Sequence, residues 1–161
     1  MKMDKVVWSL VFAVASLFSS SVWSVEPTEQ AVQRECTELV LDYAYYRDRR
    51  QADAVADLFA SDGILEVPDG KYLGQEAIRE RLSSSDKAPV TRHMMSTIRI
   101  FPESATSARG VSYATIYMAD DGALPITLKD FAAVGEYHDT FVLTQRGWKI
   151  SQRKFVRVFV P

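Results

Sequence analysis

Tyr43-Ala44-Tyr45-Tyr46-Arg47-Asp48-Arg49-Arg50-Gln51-Ala52-Asp53 and, a few residues on, Leu58-Phe59-Ala60-Ser61-Asp62-Gly63 carry the strongest structural signal in this 161-residue chain. Upstream of them, Val32, Cys36, Leu39, Val40, Tyr43 and Tyr46 recur at helical spacing and define one apolar face. That face predicts a helix from about Thr28 to Arg47. Thr28 suits the N-cap, and Glu29 suits the positive end of the helix dipole. Downstream, Asp53 can cap a second, short helix reaching about Ala60, with Val55, Leu58 and Phe59 as its buried stripe. Asp62-Gly63 then breaks the chain.

Further on, Ile64 to Val67 and Lys71 to Leu73 predict a small hairpin around Pro68-Asp69-Gly70. Gly74 to Leu82 predicts a third helix, ended by Ser83-Ser84-Ser85-Asp86. Long segments rich in Val, Ile, Thr, Tyr and Phe follow, at about Val90 to Phe101, Ala105 to Ala119, Leu128 to Thr144 and Trp148 to Val160. These residue types suit a pleated, half-buried surface. Asp120 to Thr127, with Gly122 and Pro125, is a loop, and Arg146-Gly147 is a tight turn. Helices first and strands afterwards give an α+β chain. Three N-terminal helices covering one face of a strongly curved mixed or antiparallel sheet would make a cone with an interior, a natural place for a small molecule.

The first residues are set apart from this domain. Lys2 and Lys5 precede an apolar run from Val6 to Phe18, and Ser19 to Ser24 is mostly small and polar. This is the layout of a secretory signal peptide, with cleavage expected after Ser24 and a periplasmic or secreted product, residues 25–161. The apolar run falls short of the roughly 20 residues of a membrane span. Losing Lys2, Lys5 and Asp4 would take the formal charge from −2 to −3. Such a charge offers no basic field for nucleic acid. The single cysteine, Cys36, allows no internal disulfide, and its place on the helical apolar face favours burial. No zinc-type cluster of cysteines and histidines is present in the sequence, and no metal or cofactor is expected.

The two opening segments resemble the signature of the SnoaL-like domain, within the nuclear transport factor 2-like superfamily. In that signature a helix-borne Tyr is followed five residues on by Asp, and a short helix ends in Phe-x-x-Asp-Gly. Leu73-Gly74-Gln75-Glu76-Ala77-Ile78, Thr91-Arg92-His93, Gly135-Glu136-Tyr137-His138-Asp139 and Gly147-Trp148-Lys149-Ile150 match it further, in the family's order. The resemblance implies a cone-shaped α+β fold whose interior holds a hydrophobic substrate, as in scytalone dehydratase, polyketide cyclases, ketosteroid isomerase and limonene epoxide hydrolase. It also implies a homodimer, for which the apolar part of the last strand's sheet face is the candidate contact. Asp48 and His93 look similar to the dehydratase's acid–histidine pair. Two departures stand out: the chain contains no asparagine, and Arg47 replaces the tyrosine that directly precedes the dehydratase's aspartate.

A histidine beside a carboxylate can accept and return a proton near neutral pH, because imidazole titrates near 6.5. Asp48 and His93 are therefore the candidate catalytic pair, the alternative being a structural histidine beside a helix-ending aspartate. Tyr137 and Asp139 share one strand face, with Gly135 leaving room for a ligand and His138 pointing the other way. Asp139 either lines the interior or pairs with an arginine such as Arg99 or Arg153. Tyr43, Tyr137, Asp139 and Tyr113 form the candidate substrate-binding set, since a tyrosine hydroxyl can donate to a carbonyl or a developing oxyanion. Tyr113 alternates with Thr115 and Tyr117 on one face, and one of Met94 and Met95 is expected inside. Arg146, Lys149, Arg153, Lys154 and Arg157 read as the solvated face of the last strand. The expected chemistry is cofactor-independent proton transfer on a small hydrophobic, oxygenated molecule: dehydration, isomerisation or cyclisation. A non-catalytic ligand binder or an assembly partner of the same fold is the alternative.

Overall fold

The computed structural model describes residues 27–83, 89–120 and 124–161. The signal-peptide segment, the serines after Ser83 with Asp86, and Gly122 lie outside them. The chain runs α1 (Glu29–Asp48), α2 (Ala52–Asp57), β1 (Phe59–Val67), β2 (Gly70–Leu73), α3 (Gly74–Ser83), β3 (Val90–Pro102), β4 (Ser107–Ala119), β5 (Ala133–Thr144) and β6 (Gly147–Phe159). The six strands form one curved, unclosed sheet in the order β2-β1-β6-β5-β4-β3. Among the described residues, only the β1–β6 pair is parallel.

Helix α1 forms where its periodicity predicts. The Thr28 side chain accepts a hydrogen bond from the Ala31 N–H at 3.2 Å, satisfying one of the orphan donors of the first turn. Val32, Cys36, Val40 and Tyr43, one turn apart, are buried against the inner face of the sheet, chiefly on β3. Burial pushes the Cys36 thiol up to about 12, so it is a packed apolar group and not a thiolate.

Two boundaries differ from expectation. The second helix stops at Asp57, and Phe59 and Ala60 open β1 instead of closing the helix. Phe59 pairs with Ile150 of β6, and the Ile150 N–H donates to the Leu58 carbonyl, so tertiary pairing overrides the local helical pattern. Asp62-Gly63 does not end the element but sits in an irregularity of β1 between Phe59 and Ile64. A Cβ on Gly63 would lie 2.9 Å from both the Ala60 carbonyl oxygen and the Phe59 Cβ, so this tight backbone requires glycine. Strand β5 begins at Ala133, not near Leu128, and 124–132 contains no helix or strand.

The sheet carries bulges that reset which face each residue occupies. On β3 an extra residue lies between Ser96 and Arg99, with Thr97 at φ 48°. On β6 an extra residue lies at Ser151, whose hydroxyl is 2.7 Å from that of Thr140. Trp148 and Ile150 face inward before this bulge, and Arg153 and Phe155 face inward after it. A one-residue shift exchanges the two faces of a strand. Arg153, expected on the solvated face, is consequently buried in the core.

Candidate functional site

A cavity of about 450 Å³ opens between α1, α3 and the inner face of the sheet. Tyr43 and Arg47 reach it from α1, Leu65 and Val67 from β1, and Arg81 and Leu82 from α3. From β3, β4, β5 and β6 come His93, Ile116, Tyr137, Phe155 and Arg157. Its volume falls within the range of small-molecule sites, and its walls mix apolar side chains with a few polar groups.

The structure brings Asp48 and His93 together. Asp48 is the last residue of α1, and α1 packs over the start of β3. The Asp48 carboxylate accepts three bonds from that strand. The His93 backbone N–H donates to Oδ2 at 2.8 Å, and the Thr91 hydroxyl donates to Oδ1 at 3.0 Å. His93 Nδ1 lies 2.5 Å from Oδ1. Both side chains are almost enclosed, at 7% exposure for His93 and 9% for Asp48. Burial alone would raise the Asp48 carboxyl, but the bonds from the His93 ring, the His93 backbone and Thr91 outweigh it and hold the carboxyl below its ordinary value. An ionised carboxylate only accepts, so Nδ1 carries the proton of the pair. Nε2 is then the nitrogen left for the cavity that His93 lines.

Tyr43 and Tyr137 form the wall beside this pair. Their rings meet edge-to-face at 5.7 Å, and Tyr43 stands similarly 6.5 Å from the His93 ring. Behind them lies a buried ion pair. Arg153 donates from Nε and Nη2 to the two oxygens of Asp139, each at 2.8 Å. Its guanidinium carbon lies 4.2 Å from the centre of the Tyr43 ring and 4.7 Å from that of Tyr137. Burial pushes both phenols up, most strongly that of Tyr137, while the Arg153 charge pulls them down. Burial prevails, so both remain protonated donors.

The other expected site residues lie elsewhere. Asp139 does not line the cavity, because its carboxylate is fully engaged by Arg153 at 1% side-chain exposure. Tyr113 does not line it either: it pairs with Glu136 on the outer face and is 45% exposed. On β4 the inward positions are Ser112, Ala114 and Ile116, one register step away from Tyr113. Gly135 leaves no room for a ligand, since the space is taken by the Phe155 ring and by the Val156 carbonyl, 2.3 Å from a would-be Cβ. His138 faces outward and bonds Glu136 at 2.9 Å. Met95 packs on the core, and Met94 is exposed. Arg47, Arg81 and Arg157 are cavity residues that sequence reasoning did not assign to the interior. The position of Arg47 one turn after Tyr43 on α1 was the available signal for the first of them. Among the described residues, no group of three His, Cys, Asp or Glu side chains is placed to hold a metal ion.

The family model of the SnoaL-like domain matches residues 29–154. No curated protein matches the chain. Among solved structures, a candidate scytalone dehydratase from Novosphingobium aromaticivorans superposes with a TM-score of 0.70 at 22% identity, over 82% of this chain and 87% of that one. A protein of unknown function with a cystatin-like fold from Nostoc punctiforme gives 0.68 at 22% identity, over 85% and 98%. A nuclear transport factor 2-like protein with a cystatin-like fold, also from Novosphingobium aromaticivorans, gives 0.64 at 18% identity, over 78% and 81%. At these identities the likeness is one of fold.

Proposed function

The chain belongs to the SnoaL-like family, and on that premise we propose that it is a cofactor-independent acid–base enzyme, of lyase or isomerase type, acting on a small hydrophobic oxygenated molecule. The observation that carries this is the Asp48–His93 pair at 2.5 Å on the wall of the cavity. His93 is the general base and acid through Nε2, and Asp48 orients the ring and stabilises the imidazolium that forms. Tyr43 and Tyr137 hold their hydroxyl protons and supply donors for a substrate oxygen on which negative charge develops. A carbon acid next to a carbonyl would lose its proton to Nε2, and the same imidazolium would return it elsewhere or protonate a leaving hydroxyl.

The test uses small molecules that co-purify with the protein from its producing cells, identified by mass spectrometry and returned to the protein in deuterated water. Deuterium uptake or turnover with the wild type, lost in His93→Ala at unchanged fold, is the expected result. Binding without exchange or turnover, indifferent to His93→Gln, would make the protein a ligand binder. Export belongs to the same proposal, with Val25 as the mature N-terminus; the intact mass of the secreted or periplasmic form checks it. So does a homodimer through the outer sheet face, where Met94, Tyr113, Tyr117, Val156 and Val158 are exposed.

A further inference from the structure

The charges around the cavity are not balanced. Among the described residues, Arg47, Arg81 and Arg157 line it, against a single carboxylate, Asp69. Asp69 is engaged by Arg81 in an ion pair, and the His93 ring is engaged by Asp48. Among the described residues, Arg47 and Arg157 have no carboxylate partner. This local excess of positive charge sits in a chain of net negative charge. Nor does it follow from the fold. A basic residue in the last turn of α1 is favoured by the helix dipole, but the dipole does not require its side chain to line a cavity. Arg157 follows Arg153 and Phe155 on the inward-facing alternation of β6, opposite Gly135. Arg157 lines the cavity yet is exposed, so it stands at the solvent-facing mouth, and its neighbours Val156 and Val158 are apolar and exposed.

Two guanidinium groups, Arg47 half-buried on the wall and Arg157 exposed at the mouth, direct a positive potential into the cavity, and their planar donors match a carboxylate. The remaining walls, including Leu65, Ile116 and Phe155, suit an apolar body. We infer that the cavity takes an amphipathic organic anion, a carboxylate carried on a ring or short apolar frame, with Arg47 and Arg157 recognising the charge. This rests on the cavity being a ligand site and adds the ligand's charge class to it. Anchoring the anion on the arginines leaves the apolar frame to lie along Tyr43 and Tyr137 towards His93 Nε2. The recognition is by charge and does not depend on whether His93 acts catalytically.

The test compares two fluorescent probes that share one aromatic frame, 1-anilinonaphthalene-8-sulfonate and uncharged N-phenyl-1-naphthylamine, the sulfonate standing in for a carboxylate. The full-length product as isolated should bind the sulfonate about tenfold more tightly or better, as charge-assisted bonds of this kind allow. Arg47→Gln/Arg157→Gln should bring the sulfonate to the level of the uncharged probe and leave the latter unchanged. Neither arginine is an ion-pair partner among the described residues, so the double variant should keep its circular dichroism spectrum and melting temperature. Tyr113→Ser, on the opposite face, should alter neither affinity. Equal affinities in the wild type, a preference surviving the double variant, or a preference lost in Tyr113→Ser would overturn the inference while leaving the cavity as a site for neutral ligands. Failure of both probes to bind would remove the cavity reading and this inference with it.

Discussion

Asp48 concentrates the site's electrostatics in one side chain. It closes α1, holds the start of β3 through Thr91 and the His93 backbone, and fixes the His93 ring. Hydrogen bonds to a charged group contribute roughly 1.5–3 kcal/mol each. Asp48→Ala should therefore destabilise the fold by about 2–4 kcal/mol in urea unfolding. Asp48→Asn should cost less but should release the His93 ring from its tautomer. The sign of the pH dependence follows from the depressed carboxyl. Its stabilising contribution is fully present above the ordinary aspartate value of about 3.9 and is lost as pH falls through the lower folded value. Unfolding free energies measured from pH 6 down to pH 2 should fall in that acid window, and less steeply in Asp48→Asn.

At the scale of elements, β5 and β6 decide what lies behind the cavity wall. Breaking the buried Arg153–Asp139 pair leaves an uncompensated charge, so Asp139→Ala should cost roughly 3–5 kcal/mol. Asp139→Leu with Arg153→Met should recover much of that stability, and thermal melts of the two variants make the comparison. Gly135→Ala should cost roughly 1–3 kcal/mol, because its Cβ would collide with backbone as well as with the flexible end of Phe155. The same strands show where the sequence was legible. Alternation alone separated Tyr137 and Asp139 from His138, since no bulge interrupts β5 there. It failed for Arg153, because the extra residue at Ser151 changes the face of everything after it, and a bulge closed by two hydroxyls has no sequence signature. Tyr113 failed differently. Its alternation with Thr115 and Tyr117 was sound, but alternation does not say which face is inside, and here the small residues Ser112 and Ala114 turn inward. The expected end of α2 gave way to pairing between β1 and β6, residues far apart in the chain and invisible to local propensity.

For the whole molecule, the order of elements was readable because helices and strands segregate along the chain and each has clear periodicity. The cone follows from that order once the sheet curves and α1 crosses its inner face. The cavity's charge was not readable, because it depends on which ends of α1, α3 and β6 converge. The outer face of the sheet carries Met94, Tyr113, Tyr117, Val156 and Val158 exposed to solvent. If two copies meet there, Tyr113→Glu should shift the protein from dimer to monomer in sedimentation velocity without changing its fold. The central claim is that Asp48 holds His93 with its proton on Nδ1 and its free Nε2 facing a ligand-holding cavity. Nitrogen-detected NMR of the His93 ring, at a pH where the imidazole is neutral, tests it most directly. The account predicts the Nδ1–H tautomer, and an Nε2 resonance that moves on addition of N-phenyl-1-naphthylamine. An Nε2–H tautomer, or an Nε2 resonance indifferent to a probe shown to bind, would contradict it.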